Sequence, residues 1–493
     1  MASILPFKTE NDYNNYLKRL EQIQTRLAEQ TDLFRRAIAL NRTLNRVSVS
    51  RVPGQIEKFL TDDVIQFSLF GPFNETLDNL TLSEEKKNEL RGRAVVVLIN
   101  NVMNPYREFK TFLENEYIPA TRAGWGVSSW HRGQEYYKAC LKWHLSEDKT
   151  AEEIHELGLQ EVSRISGQML KIIRGKDFNG TIREYFQLLK ADPQFKLSSG
   201  EAILEEYKSI VYNRVNKKLK DYFENIPNLP LEIKPMPYDG PGGAYSPGSA
   251  DGSRPGIFWV NVLRPNATNT FDMMALTLHE ANPGHHMQIS ASLLLDQPNF
   301  RKYRLGSRRF KIPFSFPSYT SYTEGWGLYS EYLGEEMELY KDEYELLGRY
   351  AGEIYRACRL VVDTGLHSLG WEREEAIQYM LNYTSSDRPD IEVEIDRYIT
   401  WPGQACAYKY GEIKILELRR KAQLELGDKF NLKQFHDVIL GLAAVPLQVM
   451  EDAVDEMIQH VKDAQKQPSS VSRTQAEWIA LSFALIIALA IGA

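Results

Sequence analysis

Cysteine is scarce. Cys140, Cys358 and Cys406 are the only three in 493 residues, which excludes a disulfide-stapled scaffold. No two of them have C-x-x-C spacing, so a cysteine zinc site is excluded as well. Positive charge is in deficit, with 59 Lys and Arg against 66 Asp and Glu for a net charge of −7. A nucleic-acid binder needs a basic footprint, so no nucleic-acid partner is expected. The N-terminal MASILPFKTENDYNNYLKRL lacks the basic start and the apolar run of about 7–15 residues that make a secretory signal. What remains is ordinary for a large globular chain: 43% hydrophobic, 11% aromatic and 25% charged residues.

Long apolar runs are absent except at the C-terminus. WIALSFALIIALAIGA, residues 478–493, carries no charge and only Ser482 as a polar side chain. As a helix it would span about 24 Å, short of a bilayer core of about 30 Å. A helix packed on a core usually keeps a polar stripe, so an anchor is expected instead. The preceding QKQPSSVSRTQAE is polar and rich in small residues. Small residues, a polar spacer and a terminal apolar tail form the arrangement of a GPI-anchor signal, with Ser469, Ser470 and Ser472 as attachment sites. Sequons at Asn41, Asn74, Asn79, Asn179, Asn266 and Asn382 point the same way, towards a glycoprotein. The expectation is a cell-surface protein held in a membrane through its C-terminus; the alternative is a cytoplasmic, tail-anchored one. Lipid anchoring requires entry to the secretory route, so a further segment upstream of Met1 is expected.

The chain reads as mainly α. Residues 9–45 and 198–223 read as amphipathic helices, and 83–116 begins with SEEKK, an N-terminal charge bias that suits a helix dipole. VPGQ at 52–55 fits a helix start with proline just inside. A capping box of Thr150 and Glu153 opens a helix over 150–174. Between 225 and 270 the texture changes to a long loop dense in Pro and Gly. Within it GIFWVNV, 256–262, is β-branched and aromatic and predicts a strand. The expected architecture is one large helical domain over 1–465 with a small β-sheet beside an active-site helix. A polar spacer follows over 466–477, then the tail over 478–493.

Chemistry concentrates after residue 271. In FDMMALTLHEANPGHHMQ three of the nine histidines fall between His279 and His286. Neutral imidazole is a common zinc ligand, and the adjacent Glu280 is placed to act as a base. The H-E-x-x-H spacing of zinc peptidases is not matched. On a straight helix His285 lies far round from His279, and His286 shares its face but sits 10.5 Å along the axis, by about 1.5 Å per residue. Pro283 and Gly284 argue against a straight helix, and a bulge at 282–284 would return His285 to the metal. Further on, TSYTEGWGLYSEYLGEE puts Glu324 and Glu331 seven residues apart on one helix face. Either would supply the carboxylate of a His₂Glu site, with Trp326 and Tyr329 packed beside it. A charge in so apolar a setting needs a partner.

HEANPGHHMQ, EGWGLYSEYLGEE, RLVVDTGLHSLGW (359–371) and WPGQACAYKYGEIKILELR (401–419), with DGSRPGIFWVN (251–261) ahead of them, resemble the successive blocks of the domain-of-unknown-function family numbered 885. The resemblance runs from about residue 5 to 461. That family resembles gluzincin-type zinc metallopeptidases. It implies a helical fold with a small sheet, one zinc held by two His and one Glu, and a Glu acting on water. Carried onto this chain, His279, His285 and Glu324 are the ligands and Glu280 the base, with His286 as the alternate to His285. Members also carry a further N-terminal helical stretch, which again suggests that this chain starts inside the domain.

A hydrolase of this kind also needs donors for the oxyanion. His367, oriented by Asp363, and Tyr408 with Lys409 are expected in that role, and strand 256–262 is expected to hold a peptide along its free edge. Arg356, Arg359, Arg397 and Lys409 are possible carboxylate clamps. The expected substrate is a peptide or a small amide. A hydrolase of non-peptide amides or esters, and a silent surface binding protein, are the rival classes.

Overall fold

Thr150 Oγ1 accepts from the main-chain N–H of Glu153 at 3.1 Å, and the Glu153 carboxylate accepts from the N–H of Thr150 at 2.8 Å. The helix Ala151–Arg174 therefore begins where the capping box places it. Pro53 likewise sits at the start of helix Val52–Phe59. This computed structural model describes residues 5–302 and 319–466. It is mainly helical and holds one three-stranded sheet. Among the described residues no helix is long and apolar enough to cross a membrane. The anchor expected at 478–493 lies outside the described residues.

Labels used below follow the chain: α1 (Glu10–Ala39), α2 (Ala151–Arg174), β1 (Leu231–Pro235), β2 (Gly243–Ser246), β3 (Gly256–Val260), α3 (Thr270–Glu280), α4 (His285–Leu294), α5 (Thr320–Glu336), α6 (Glu343–His367), α7 (Ala407–Leu426) and α8 (Leu432–Gly441). The chain folds as two compact units. One runs to Lys196 and resumes over Asp342–Lys409; the other covers Leu197–Lys341 and continues from Tyr410.

In the first unit α1 buries Tyr13, Tyr16, Leu17 and Leu20 against Phe70, Phe73, Leu90 and Leu98. The helix expected over 83–116 is present but irregular. Its ladder widens over Leu98–Met103 and again over Leu113–Tyr117. Pro105 follows the first widening and has no N–H to give to a regular ladder. Helices α2 and α6 pack along each other and form the centre of this unit.

In the second unit the Pro- and Gly-rich stretch is not only loop. It carries β1 and β2 as well as the expected β3. The order is β1-β3-β2, with β1 parallel and β2 antiparallel to β3. This corrects one expectation. β3 is the central strand, paired on both sides, and has no free edge to hold a peptide. Its alternation puts Gly256, Phe258 and Val260 inside, as a strand with one face on the core requires. Helix α3 covers the sheet at β2, where Leu276 lies against Gly243. Met273, Met274 and Leu278 of α3, with Trp326 and Tyr329 of α5, are fully buried in this unit.

Candidate metal centre

Helix α3 ends at Glu280 because the next residues cannot continue it. Ala281 takes φ −95° and ψ −120°, Pro283 has no N–H, and a new helix, α4, starts at His285. The bulge expected at 282–284 is thus a complete break. The chain folds so tightly onto the end of α3 that a Cβ on Gly284 would lie 2.0 Å from the carbonyl oxygen of His279. Only glycine fits there. The turn brings the His285 ring to 4.8 Å from that of His279, centroid to centroid, nearly perpendicular.

Helix α5 lies across this break. The indole N–H of Trp326 donates to the Pro283 carbonyl at 2.8 Å and fastens the two together. At the next residue, a Cβ on Gly327 would meet Cε1 of His279 at 2.6 Å, so the missing side chain is what admits the imidazole. Glu324 then faces both histidines. Its Oε2 is 3.4 Å from His279 Nε2 and 3.4 Å from His285 Nε2. The ligand atoms of His279, His285 and Glu324 all lie within 4.8 Å of one another. For a tetrahedral ion with bonds of about 2.0–2.1 Å, neighbouring ligand atoms sit about 3.3 Å apart. The two observed separations match that edge.

The same helix supplies a second carboxylate. Glu331 Oε1 accepts from Nδ1–H of His279 at 2.8 Å. In the neutral imidazole this bond holds the proton on Nδ1 and leaves Nε2, on the Glu324 side, able to ligate, the arrangement in which an outer carboxylate orients a ligating histidine. It also separates the two glutamates: Glu324 meets Nε2 of both histidines, and Glu331 stands behind the His279 ring. For His285, Gln288 Oε1 is 3.4 Å from Nδ1, on the side away from Glu324. Gln288 was not anticipated, although it lies one helical turn after His285, where a side chain faces its neighbour.

The electrostatics follow from burial. Desolvation opposes the protonation of His279, yet bonds to Glu324 and Glu331 outweigh it and push the imidazole up to about 9. Burial disfavours charge on Glu324 too, but the two histidines hold its carboxyl well below the usual range. His279, His285, Glu324 and Glu331 form a dense polar knot in which two carboxylates face two imidazoles. His286 is outside it. Its Nδ1 pairs with Tyr245 Oη on β2 at 3.0 Å, and burial drives it down to about 4. Glu280 is half-buried and forms no hydrogen bond or ion pair among the described residues.

Two of the expected oxyanion donors are spent on structure. His367 is fully buried in the first unit. Its Nδ1 accepts from Val127 N–H at 3.1 Å and its Nε2–H donates to the Tyr398 carbonyl at 2.9 Å. Both ring nitrogens are committed to main chain, so no substrate role is assigned to it. Asp363 does not orient it; its Oδ1 accepts from Tyr137 Oη at 2.6 Å and from Gly403 N–H at 2.9 Å. Lys409 is buried against Glu353 at 2.6 Å and Glu161 at 3.1 Å. Arg349 also pairs with Glu353, at 3.1 Å, so Lys409 is one cation of a buried charge cluster and serves structure. Tyr408 is half-buried, accepts from Gln404 Nε2 at 3.3 Å, and carries the Arg359 guanidinium 4.6 Å above its ring. Of the arginines, Arg359 and Arg397 both pair with Glu394, at 3.2 and 3.0 Å.

A family model described as "Bacterial protein of unknown function (DUF885)" matches residues 1–454. The chain belongs to that family. A solved structure of a "putative lipoprotein" from Colwellia psychrerythraea is 33% identical to this DUF885 chain, with a TM-score of 0.86, covering 92% of this chain and 77% of that one. A second, a "putative lipoprotein of unknown function" from Shewanella oneidensis, is 19% identical with a TM-score of 0.63, over 90% and 78%. This second likeness is one of fold. A comparison with curated proteins finds no significant match.

The Glu331 contact makes a prediction for the DUF885 chain. Glu331→Gln keeps the shape of the side chain but removes the charge behind His279. Where the centre takes zinc, its affinity is expected to fall about 10–100-fold, read by competition with a chromophoric chelator, with the circular dichroism spectrum retained. An unchanged affinity would show that the contact does not orient the ligand.

Proposed function

We propose that this DUF885 chain is a zinc-dependent hydrolase of the gluzincin kind that cleaves peptide bonds at the His279, His285 and Glu324 centre. The observation that carries the reading is the convergence of two imidazole nitrogens on one carboxylate oxygen, each at 3.4 Å from it, on side chains only 4%, 11% and 20% exposed. Two neutral His and one Glu are the donor set of a catalytic zinc, with a fourth position left for water or substrate. When bound there, zinc would supply Lewis-acid polarisation of a water and of the scissile carbonyl.

The chain's own residues do the rest. Glu280 follows His279 directly and is free of other partners among the described residues, so its carboxylate is available to take the proton of an attacking water and to return it to the leaving amine. Glu331 and Gln288 hold the two imidazoles in place from behind. The rival substrate class is tested by turnover. A zinc-loaded preparation presented with peptides, simple amides and esters is expected to hydrolyse the peptides with the highest kcat/KM. Hydrolysis confined to simple amides or esters would move the assignment to that class, and inertness towards all three would favour a binding protein.

We also place the protein at a membrane surface. Support comes from the apolar run 478–493 and from the similar structure from Colwellia psychrerythraea, described as a putative lipoprotein. The C-terminal tail is proposed as the attachment. A chain ending at Lys466 is expected to move from the membrane fraction to the soluble one on fractionation. Its remaining with the membranes would put the attachment elsewhere.

A further inference from the structure

A cleft of about 530 Å³, the solvent at its mouth included, opens in the second unit between α4 and α5. It adjoins the candidate metal centre through three residues. Gln288, which touches His285, forms part of its wall. Tyr322 and Thr323, the two residues before Glu324, form another part. The Gln288 side chain ties these walls together, donating from Nε2 to the Tyr322 carbonyl at 3.3 Å.

The cleft has a charge sign. Arg301 and Lys302 line it, and among the described residues lining it there is no carboxylate. Arg301 is held in place, its Nη2 donating to the carbonyls of Leu442 at 3.1 Å and Ala444 at 3.3 Å. The Lys302 ammonium has no hydrogen-bond or ion-pair partner among the described residues. Two cations in a concave, partly dry site, without an anion beside them, favour an anionic ligand, because a charge-assisted bond gains strength as water is excluded. A guanidinium with its plane fixed suits the planar, two-oxygen shape of a carboxylate.

We propose that this cleft receives a carboxylate of the substrate, so that the hydrolase acts on acidic acyl compounds. The carboxylate is either an acidic side chain or a free C-terminus beside the scissile bond. The proposal rests on the hydrolytic reading of the His279, His285 and Glu324 centre for its word "substrate", but not for its test.

The test is equilibrium binding of three small probes to the full chain prepared without added zinc. N-acetylglutamate α-amide carries a side-chain carboxylate, N-acetylglutamine a terminal one, and N-acetylglutamine amide neither. At low salt one of the two anions is expected to bind about 10–100-fold more tightly than the neutral probe, and which one it is distinguishes the two sources. The preference should shrink with ionic strength, fall to within about twofold in Lys302→Ala and reverse in Lys302→Glu. Equal binding of charged and neutral probes, absence of binding by all three, or a preference unmoved by both Lys302 variants would overturn the proposal. If the preference holds while the protein, once offered zinc, binds none or shows no turnover, the hydrolytic reading falls and the anion site stands.

Discussion

Glu324→Ala is expected to empty the metal centre. On the proposed reading Glu324 would supply one of three protein ligand atoms, and it meets both histidines at 3.4 Å. Binding free energies for zinc held by four protein ligands run to about 10–16 kcal/mol, so one ligand's share is on the order of 3–4 kcal/mol. Its removal should weaken zinc binding by on the order of a hundred- to a thousandfold. Metal analysis after dialysis at a fixed low free zinc should therefore find about one zinc per chain in the parent and close to none in the variant. His279→Ala should behave in the same way. The fold should persist, since Glu324 is the most exposed of the three and its backbone lies within helix α5. The alternative is specific. If Glu331 were the ligand, Glu324→Ala would keep its zinc and Glu331→Ala would lose it, and that pair of results would reject the geometry argued above.

Much of this side-chain juxtaposition was legible in the chain because local rules fix it. Seven-residue spacing on a helix is enough to put Glu324 and Glu331 on one face. An acidic side chain among Trp326, Tyr329 and glycines is enough to demand partners. Pro283 and Gly284 announce that the helix stops. What spacing could not decide was which histidine the stop turns inward. The answer lies in contacts distant in sequence. Tyr245 on β2 captures His286, and the packing of α5 at Gly327 accepts His279.

The failures have a common cause. β3 was recognised from its own residues, but its place at the centre of the sheet depends on β1 and β2. These are short stretches of Pro- and Gly-rich chain with little strand character, stabilised by pairing rather than by propensity. His367 and Lys409 fall in suggestive motifs, and each is spent on partners far away in the chain: Val127 and Tyr398 for one, Glu161 and Glu353 for the other. A motif names a side chain capable of chemistry. Whether that side chain faces a substrate or closes a core is set by tertiary neighbours, and burial of a paired lysine looks the same in sequence as exposure of a free one. The family match and the similar structures bear on the fold, while the roles of individual residues rest on their geometry.

Glu280→Gln should separate binding of the metal from its use. The substitution is nearly isosteric and leaves the three ligand atoms untouched, so zinc content should stay near one per chain. It should also cost little stability, because Glu280 is half-buried and has no hydrogen bond or ion pair to lose among the described residues. What it removes is a carboxylate able to accept a proton from water. Positioned general bases contribute about 10²–10⁴-fold to rate, so kcat/KM on any peptide the parent cleaves should fall by that factor. The loss should sit mainly in kcat, since the base acts in the transition state more than in substrate binding. Loss of zinc together with activity would instead make Glu280 part of the metal's support. Turnover within a few-fold of the parent, with zinc retained, would show that the proton goes elsewhere and would sink the assignment of Glu280 as base.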